Sequence, residues 1–498
     1  MRGADLHYRD TQGVEQKTLE HNDIRDDAFT PPRTTVVSES RAARRRQDRE
    51  IARLAIPAFA ALVSEPAFLL ADAAIVGHLG TPSLAALAIA GSVVQAVIGM
   101  FVFLAYGTTS TVARNLGAGS TRAALSSGID GIWLAVVVGM VAGLATIALS
   151  EPVIGLFSPA DDVASLALTY LRIAAFGIPP LLLTFAATGV LRGLQDVRTP
   201  LVVAVAANVV NIGLNLWFVY GLDWGLAGSA AGTLVAQGAG AAALVAVVVR
   251  GASRHHVSLV PHRAGVLASW RTGLPLILRT VTLRATLLLA TYVAAGISTV
   301  AVAAHQVALT IWTFLAFALD AIAIAGQAIT GRLLGAGDAA AARQAARRMM
   351  WWGIVAGAVL GAAVIVSRPA VVPLFSPDAD VQALLATVLV LVALQQPIAG
   401  VVFVLDGVLI GAGDGRYLAW AGVVNFVVFA PLALAVLWTD SGLIALWFAF
   451  IAFMTARMGT LLWRERGDHW VVLGAAPSPR GFPGDGTPPT EGASHPTG

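Results

Sequence analysis

Asp72 stands in the apolar run AFLLADAAIVG, six residues after Pro66. An acid near the middle of a membrane-spanning helix costs about 2.5–3.5 kcal/mol on insertion scales, so such a residue usually has a function. Low dielectric favours the neutral form of a carboxyl group. Asp72 can therefore take up and release a proton or, when ionised, ligate Na⁺. The plainer reading is a hydrogen-bonded structural acid. Glu65 lies seven residues earlier, about two helical turns away. It is either a second working carboxylate or a group tied down at a bend. Pro57 and Pro66 each remove a backbone donor and favour a kink, so this segment can bend around its titratable group.

Asn208, Asn211 and Asn215 follow the spacing i, i+3, i+7, which places three amides on one helix face. Such a stripe faces a cavity or a polar neighbour rather than lipid, or it bonds an adjacent helix. Asp320 in FLAFALDAIAIAGQ and Asp406 in FVLDGVLIG are further acids in apolar runs. Arg279 and Arg284 occupy one apolar segment and are expected to pair with these acids, as structural ion pairs or at a substrate site. The candidates for a substrate cleft are thus Glu65, Gln95, Asn208, Arg284, Asp320 and Asp406. His305 and Gln306 read as packing residues.

These residues need long apolar helices to hold them, and the composition supplies them. The chain of 498 residues is 57% hydrophobic and 12% charged, against about 25% charged in soluble domains. Most of its surface must therefore face lipid. Twelve stretches reach the roughly 20 apolar residues that a spanning helix needs: 52–76, 84–112, 129–149, 164–187, 200–220, 226–249, 273–296, 300–330, 351–367, 382–409, 418–437 and 442–463. Alternate connections hold nearly all the loop arginines, including Arg114, Arg122, Arg192, Arg198, Arg332 and Arg416. By the positive-inside rule these connections are cytoplasmic. An even number of spans then places both termini on that side of the plasma membrane.

The chain repeats itself at a fixed shift of 218 residues. Pro57 recurs as Pro275, RNLGAG at Arg114 as RLLGAG at Arg332, and LFSP at 156–159 as LFSP at 374–377. Gly189-Val190-Leu191, Gly193 and Asp196 recur as Gly407-Val408-Leu409, Gly411 and Asp414. Six spans per copy make the copies parallel, related by an axis along the membrane normal. The expected organisation is a disordered tail over 1–50, a six-helix lobe over 51–249 and a cytoplasmic linker over 250–271. A second lobe over 272–463 and a disordered tail over 464–498 complete it. His255, His256 and His262 of the linker read as solvated residues rather than metal ligands.

Several function classes are excluded. The one lysine is Lys17, so no GxxxxGK[ST] phosphate loop exists and uphill transport would have to draw on an ion gradient. The absence of cysteine removes disulfides, thiolate zinc and thiol catalysis. Residues 1–50 hold no apolar core of a signal peptide. The arginines sit in short loops between apolar runs, so no nucleic-acid partner is expected. No His-Glu-x-x-His pattern supports a membrane-embedded enzyme.

FLLADAAIVGHLGTPSLAALAIA, GVLRGLQDVRTPL and the repeated LGAG loops resemble the multidrug and toxic compound extrusion (MATE) family. FALDAIAIAGQ and FVLDGVLIGAGD are similar to its prokaryotic DNA-damage-inducible protein F (DinF)-like branch. The resemblance covers about residues 52–463. It implies an all-α polytopic membrane protein whose two six-helix lobes form a V-shaped central cleft, working as a monomer in the lipid bilayer without a cofactor. It further implies export of small amphipathic, often cationic compounds, coupled to inward H⁺ or Na⁺. The first-span acid of that branch is Asp72 here, and the family's remaining cation-site positions match Asn211, Asn215 and Thr233. The family often has Asp where this chain has Asn215, which favours H⁺ over Na⁺, although Na⁺ at Asp72, Asn211 and Asn215 stays open. A lipid-linked saccharide flippase of the same superfamily is the alternative.

Overall fold

The computed structural model describes residues 41–476; the first 40 residues of the tail expected over 1–50 and the part after 476 of the tail expected over 464–498 lie outside the described residues. The first half runs through α1 (Arg41–Gly77), α2 (Thr81–Met100), α3 (Phe103–Gly117), α4 (Thr121–Ala148), α5 (Ser150–Gly155), α6 (Asp161–Ala175), α7 (Ile178–Gly193), α8 (Arg198–Leu216) and α9 (Gly225–Arg254). The second runs through α10 (Arg263–Ile297), α11 (Thr299–Gly335), α12 (Ala339–Phe375), α13 (Ala379–Leu394), α14 (Gln396–Gly411), α15 (Gly415–Trp438) and α16 (Gly442–Arg466). Among the described residues ten helical segments are long and apolar enough to span a membrane, with α2 and α3 forming one of them. The pairs α6–α7 and α13–α14 bend by 43° and 49° at short breaks, and counting each as one span gives twelve.

The repeat is visible in how turns are made. Gly119 (φ 81°) and Gly337 (φ 78°) both adopt the left-handed conformation that glycine enters without a Cβ penalty. The next residue in each copy caps a helix: the Ser120 hydroxyl accepts from Ala123 N (3.2 Å) and the Asp338 carboxylate from Ala341 N (2.8 Å). A side-chain oxygen at this position satisfies an orphan helix donor. The repeated GVLxG has a packing cause. A Cβ on Gly189 would lie 2.6 Å from Ala105 O, and one on Gly407 would lie 2.3 Å from Ala323 O. The glycines let α7 press onto α3, and α14 onto α11, backbone against backbone.

The same device joins the halves at their arginine-rich ends. A Cβ on Gly117 would sit 1.9 Å from Arg332 O, and one on Gly335 would sit 2.0 Å from Arg114 O. Helices α3 and α11 therefore cross in contact at the LGAG loops. Gly335→Ala should destabilise the protein by about 1–3 kcal/mol, the usual cost of overpacking, seen as a lower melting temperature in detergent. Gly213→Ala is the control, since a Cβ there meets nothing within 4 Å. Equal melting temperatures for the two variants would remove this account of the junction.

Two boundaries differ from the sequence-based expectation. The 250–271 linker narrows to 255–262, because α9 continues to Arg254 and α10 begins at Arg263. Ordered structure also extends into both stretches expected as tails, 1–50 and 464–498, since α1 begins at Arg41 and residues up to 476 are described. Arg348 donates to Asp48 with both Nε and Nη2 at 2.7 Å. Trp470 is buried, and Arg114 Nη2 donates to Val472 O (2.6 Å) while Gly474 N donates to Leu334 O (3.0 Å). Backbone groups of the stretch after α16 thus find partners on both crossing helices, a contact that composition does not disclose.

Candidate functional site

Asp72 is buried on α1 and forms the centre of a polar cluster in the first half. Its Oδ1 accepts from Asn215 Nδ2 of α8 (2.8 Å) and from Ser229 Oγ of α9 (2.6 Å). Thr233 Oγ1 makes a long contact of 3.5 Å with Asn211 Oδ1. Asn208 Nδ2 donates to Ser64 O (3.0 Å), so this amide is used for helix pairing. Asn215 is fully buried and its Oδ1 has no hydrogen-bond partner.

The approach of α9 to α8 depends on small residues. A Cβ on Gly232 would fall 2.2 Å from Asn215 Oδ1, and one on Gly228 would fall 2.8 Å from the Phe218 carbonyl carbon. Phe218 belongs to a single π-helical turn, Trp217–Gly221, a feature that recurs at functional sites. From the same turn Tyr220 OH donates to Ile75 O (2.6 Å) and ties α8 to α1 three residues beyond Asp72. The result is one carboxylate held by two neutral donors, with a spare buried amide oxygen beside it. Such a group can exchange a proton or ligate a small cation.

The second half carries a different set. Asp406 of α14 pairs with Arg279 of α10 (Nη2–Oδ2 2.8 Å) and with Arg457 of α16. These residues line a pocket together with Thr282, Gly422 and Asn425. Asp320 of α11 is half-buried, and the charges of Arg192 and Arg279 act on it. Tyr106 of α3 lies within electrostatic reach of Asp320, Arg279, Arg192 and Asp406. The acids and arginines thus gather where first-half and second-half helices meet. Arg284 is exposed on α10, its guanidinium filling the space beside Gly99 of α2.

The MatE family model matches residues 57–217 and again 275–435, two segments separated by the same 218 residues as the repeat. The chain belongs to the MATE family. The chloroplastic Protein DETOXIFICATION 44 of Arabidopsis thaliana is 31% identical over 446 residues, covering 86% of this chain and 84% of that protein. DNA damage-inducible protein F of Escherichia coli is 25% identical over 85% of this chain and 93% of its own length. In fold, a mutant of the Vibrio cholerae MATE transporter VcmN superposes with a TM-score of 0.78 at 21% identity, over 86% of this chain and 99% of that one. The chain is therefore a transporter rather than an enzyme, with two MatE repeats and the MATE fold.

Within this MATE scaffold the structure brings Asp72, Asn211, Asn215 and Thr233 together. It joins Asp406 to Arg279 rather than Arg284, and sets Asp320 nearby. Gln95 is exposed on α2 and bonds to none of them among the described residues. The Glu65 side chain lies outside the described residues. His305 packs against Trp447, ring centroids 5.7 Å apart. Sequence reasoning missed Ser229, Arg457, Arg192, Tyr106 and Asn425. Two signals were available. Ser229 precedes Thr233 by four residues, one helical turn, and Arg457 lies in the apolar run FMTARMG, where the rule that singled out Arg279 also applies.

Proposed function

We propose that this protein is a secondary exporter of small organic compounds, driven by inward cation movement through the Asp72 cluster. The observation that carries the reading is the buried carboxylate of α1 held between Asn215 and Ser229. Proton coupling is favoured over Na⁺. The cluster offers one carboxylate and otherwise neutral amides and hydroxyls, and Asn215 already gives its amide hydrogens to Asp72. Na⁺ coordination would need that amide to turn its oxygen inward, for which the unpartnered Oδ1 leaves an opening. Transport proceeds by alternating access, the lobes rocking about the α3–α11 crossing as a monomer. The arginine bias of alternate loops supports a cytoplasmic side for both chain ends, at the plasma membrane. Cationic substrates are the general expectation of the family.

The test is efflux from proteoliposomes holding the purified full chain, with ΔpH or ΔNa⁺ imposed separately. Efflux of small aromatic compounds should follow ΔpH. Efflux driven by ΔNa⁺ alone would transfer the coupling role to Na⁺, and no response to either gradient would remove the exporter reading.

A further inference from the structure

We propose that residues 468–476 act as a latch that holds the two halves together at their arginine-rich ends. The stretch continues from α16 and so belongs to the second half by connectivity. It is moored there as well. Arg343 of α12 forms an ion pair with Asp468, and its guanidinium stands over the Trp470 ring, 5.8 Å from the centroid. Trp470 is buried, and its Nε1 donates to Glu465 O (2.8 Å).

Beyond Trp470 the chain crosses to α3 of the first half. Arg114 Nη2 donates to Val472 O (2.6 Å) and to Gly474 O (3.2 Å), and Ala476 N donates to Asn115 Oδ1 (3.1 Å). Gly474 bridges the halves by itself. Its carbonyl accepts from Arg114, while its N–H donates to Leu334 O of α11 (3.0 Å). It does so at φ 93°, a conformation that glycine enters without a Cβ penalty.

Arg114 is built for a contact that can break. Its guanidinium is buried, and among the described residues it bonds only backbone carbonyls, the third being Ala412 O at the end of α14 (2.9 Å). All three acceptors belong to the second half. The repeat counterpart, Arg332, instead forms an ion pair with Glu50. When Arg114 moves out to water, carbonyl groups leave no stranded charge behind, as a buried carboxylate would. Rocking of the lobes changes the angle between α3 and α11, so bonds that run across their ends cannot all persist. The strap then stays with Arg343 and releases Arg114 and Asn115. The inference rests on the alternating-access reading, which gives this release its purpose. Its test needs neither gradient nor cargo, so a failed latch and failed export can be told apart.

The chain has no cysteine, so one introduced thiol reports alone. Ser110→Cys places it at the junction, where the Ser110 hydroxyl donates to Gly411 O of the second half (3.1 Å) and the residue is buried. Thr146→Cys is the control, buried near the end of α4 with its hydroxyl on Ala142 O (2.8 Å). The purified chains in detergent react with a water-soluble maleimide, and mass spectrometry follows the labelling rate. Gly474→Val should dislodge the strap, because a β-branched residue is an outlier at positive φ, although a Cβ there meets nothing within 4 Å. Labelling at position 110 should then be at least about tenfold faster, by a shift of population toward the parted form. Position 146 should label at its former rate. A chain ending at Gly467 should behave in the same way. An unchanged rate at position 110 in either variant, or equal acceleration at both positions, would overturn the latch. If Gly474→Val does not fold, the shortened chain decides by itself.

Discussion

Asp72→Asn should abolish gradient-driven efflux while leaving the fold intact. Asparagine has nearly the same shape, and its Oδ1 can still accept from Asn215 Nδ2 and Ser229 Oγ, the two bonds that hold Asp72. Secondary structure and melting temperature should therefore change little. The variant cannot alternate between charged and neutral forms or carry a proton through a conformational cycle. One charge crossing the membrane is worth about 2.3 kcal/mol per 100 mV, or roughly fiftyfold in concentration, and that accumulation is what the variant forfeits. Transport in proteoliposomes under an imposed ΔpH should fall at least about tenfold. Full gradient-driven efflux from Asp72→Asn would end the assignment of Asp72 as the coupling group.

Asp406→Ala should have the opposite profile, acting on stability first. It leaves Arg279 and Arg457 in a buried pocket without the carboxylate that both bond. Removing one partner of a buried ion pair typically costs about 3–5 kcal/mol, because the remaining charge is stranded. The variant should melt well below the wild type in detergent. The double variant Asp406→Ala with Arg457→Met should recover part of the loss by removing one stranded charge. A double variant no more stable than the single one would show that the loss arises from the cavity left at position 406 rather than from charge.

The two lobes share a scaffold and divide the chemistry, and packing shows how. Asn211, Asn215 and Ser229 correspond at a shift of 218 to Phe429, Ala433 and Trp447. In the second half those positions lie in an aromatic cluster, with Phe429 5.6 Å from Phe453 and Trp447 5.4 Å from Phe450 between ring centroids. The space that holds a hydrated or titratable group in one lobe is filled by apolar rings in the other. The second lobe instead places its polar residues on α10, α14 and α16, around Asp406. A duplicated backbone needs only its crossings and turns preserved, so glycines and caps persist while buried side chains diverge.

Twelve apolar spans, the parallel repeat and the polar positions Asp72, Asn211 and Asn215 were legible from the residues alone. Each follows from local rules: apolar length against bilayer thickness, a fixed shift between motifs, and the cost of placing Asp72 or three amides in an apolar helix. Family resemblance, rather than spacing, linked Asp72 to Asn211, Asn215 and Thr233. Tertiary structure alone decided the partners. That Ser229 bonds Asp72, that Asp406 takes Arg279 and Arg457 rather than Arg284, and that Val472 and Gly474 reach Arg114 depend on which helix faces meet. Those faces are set by close approaches at glycines hundreds of residues apart in the chain, such as Gly117 on Arg332 and Gly335 on Arg114. Hydrophobic periodicity says which face of a helix avoids lipid, but not which neighbour it meets there.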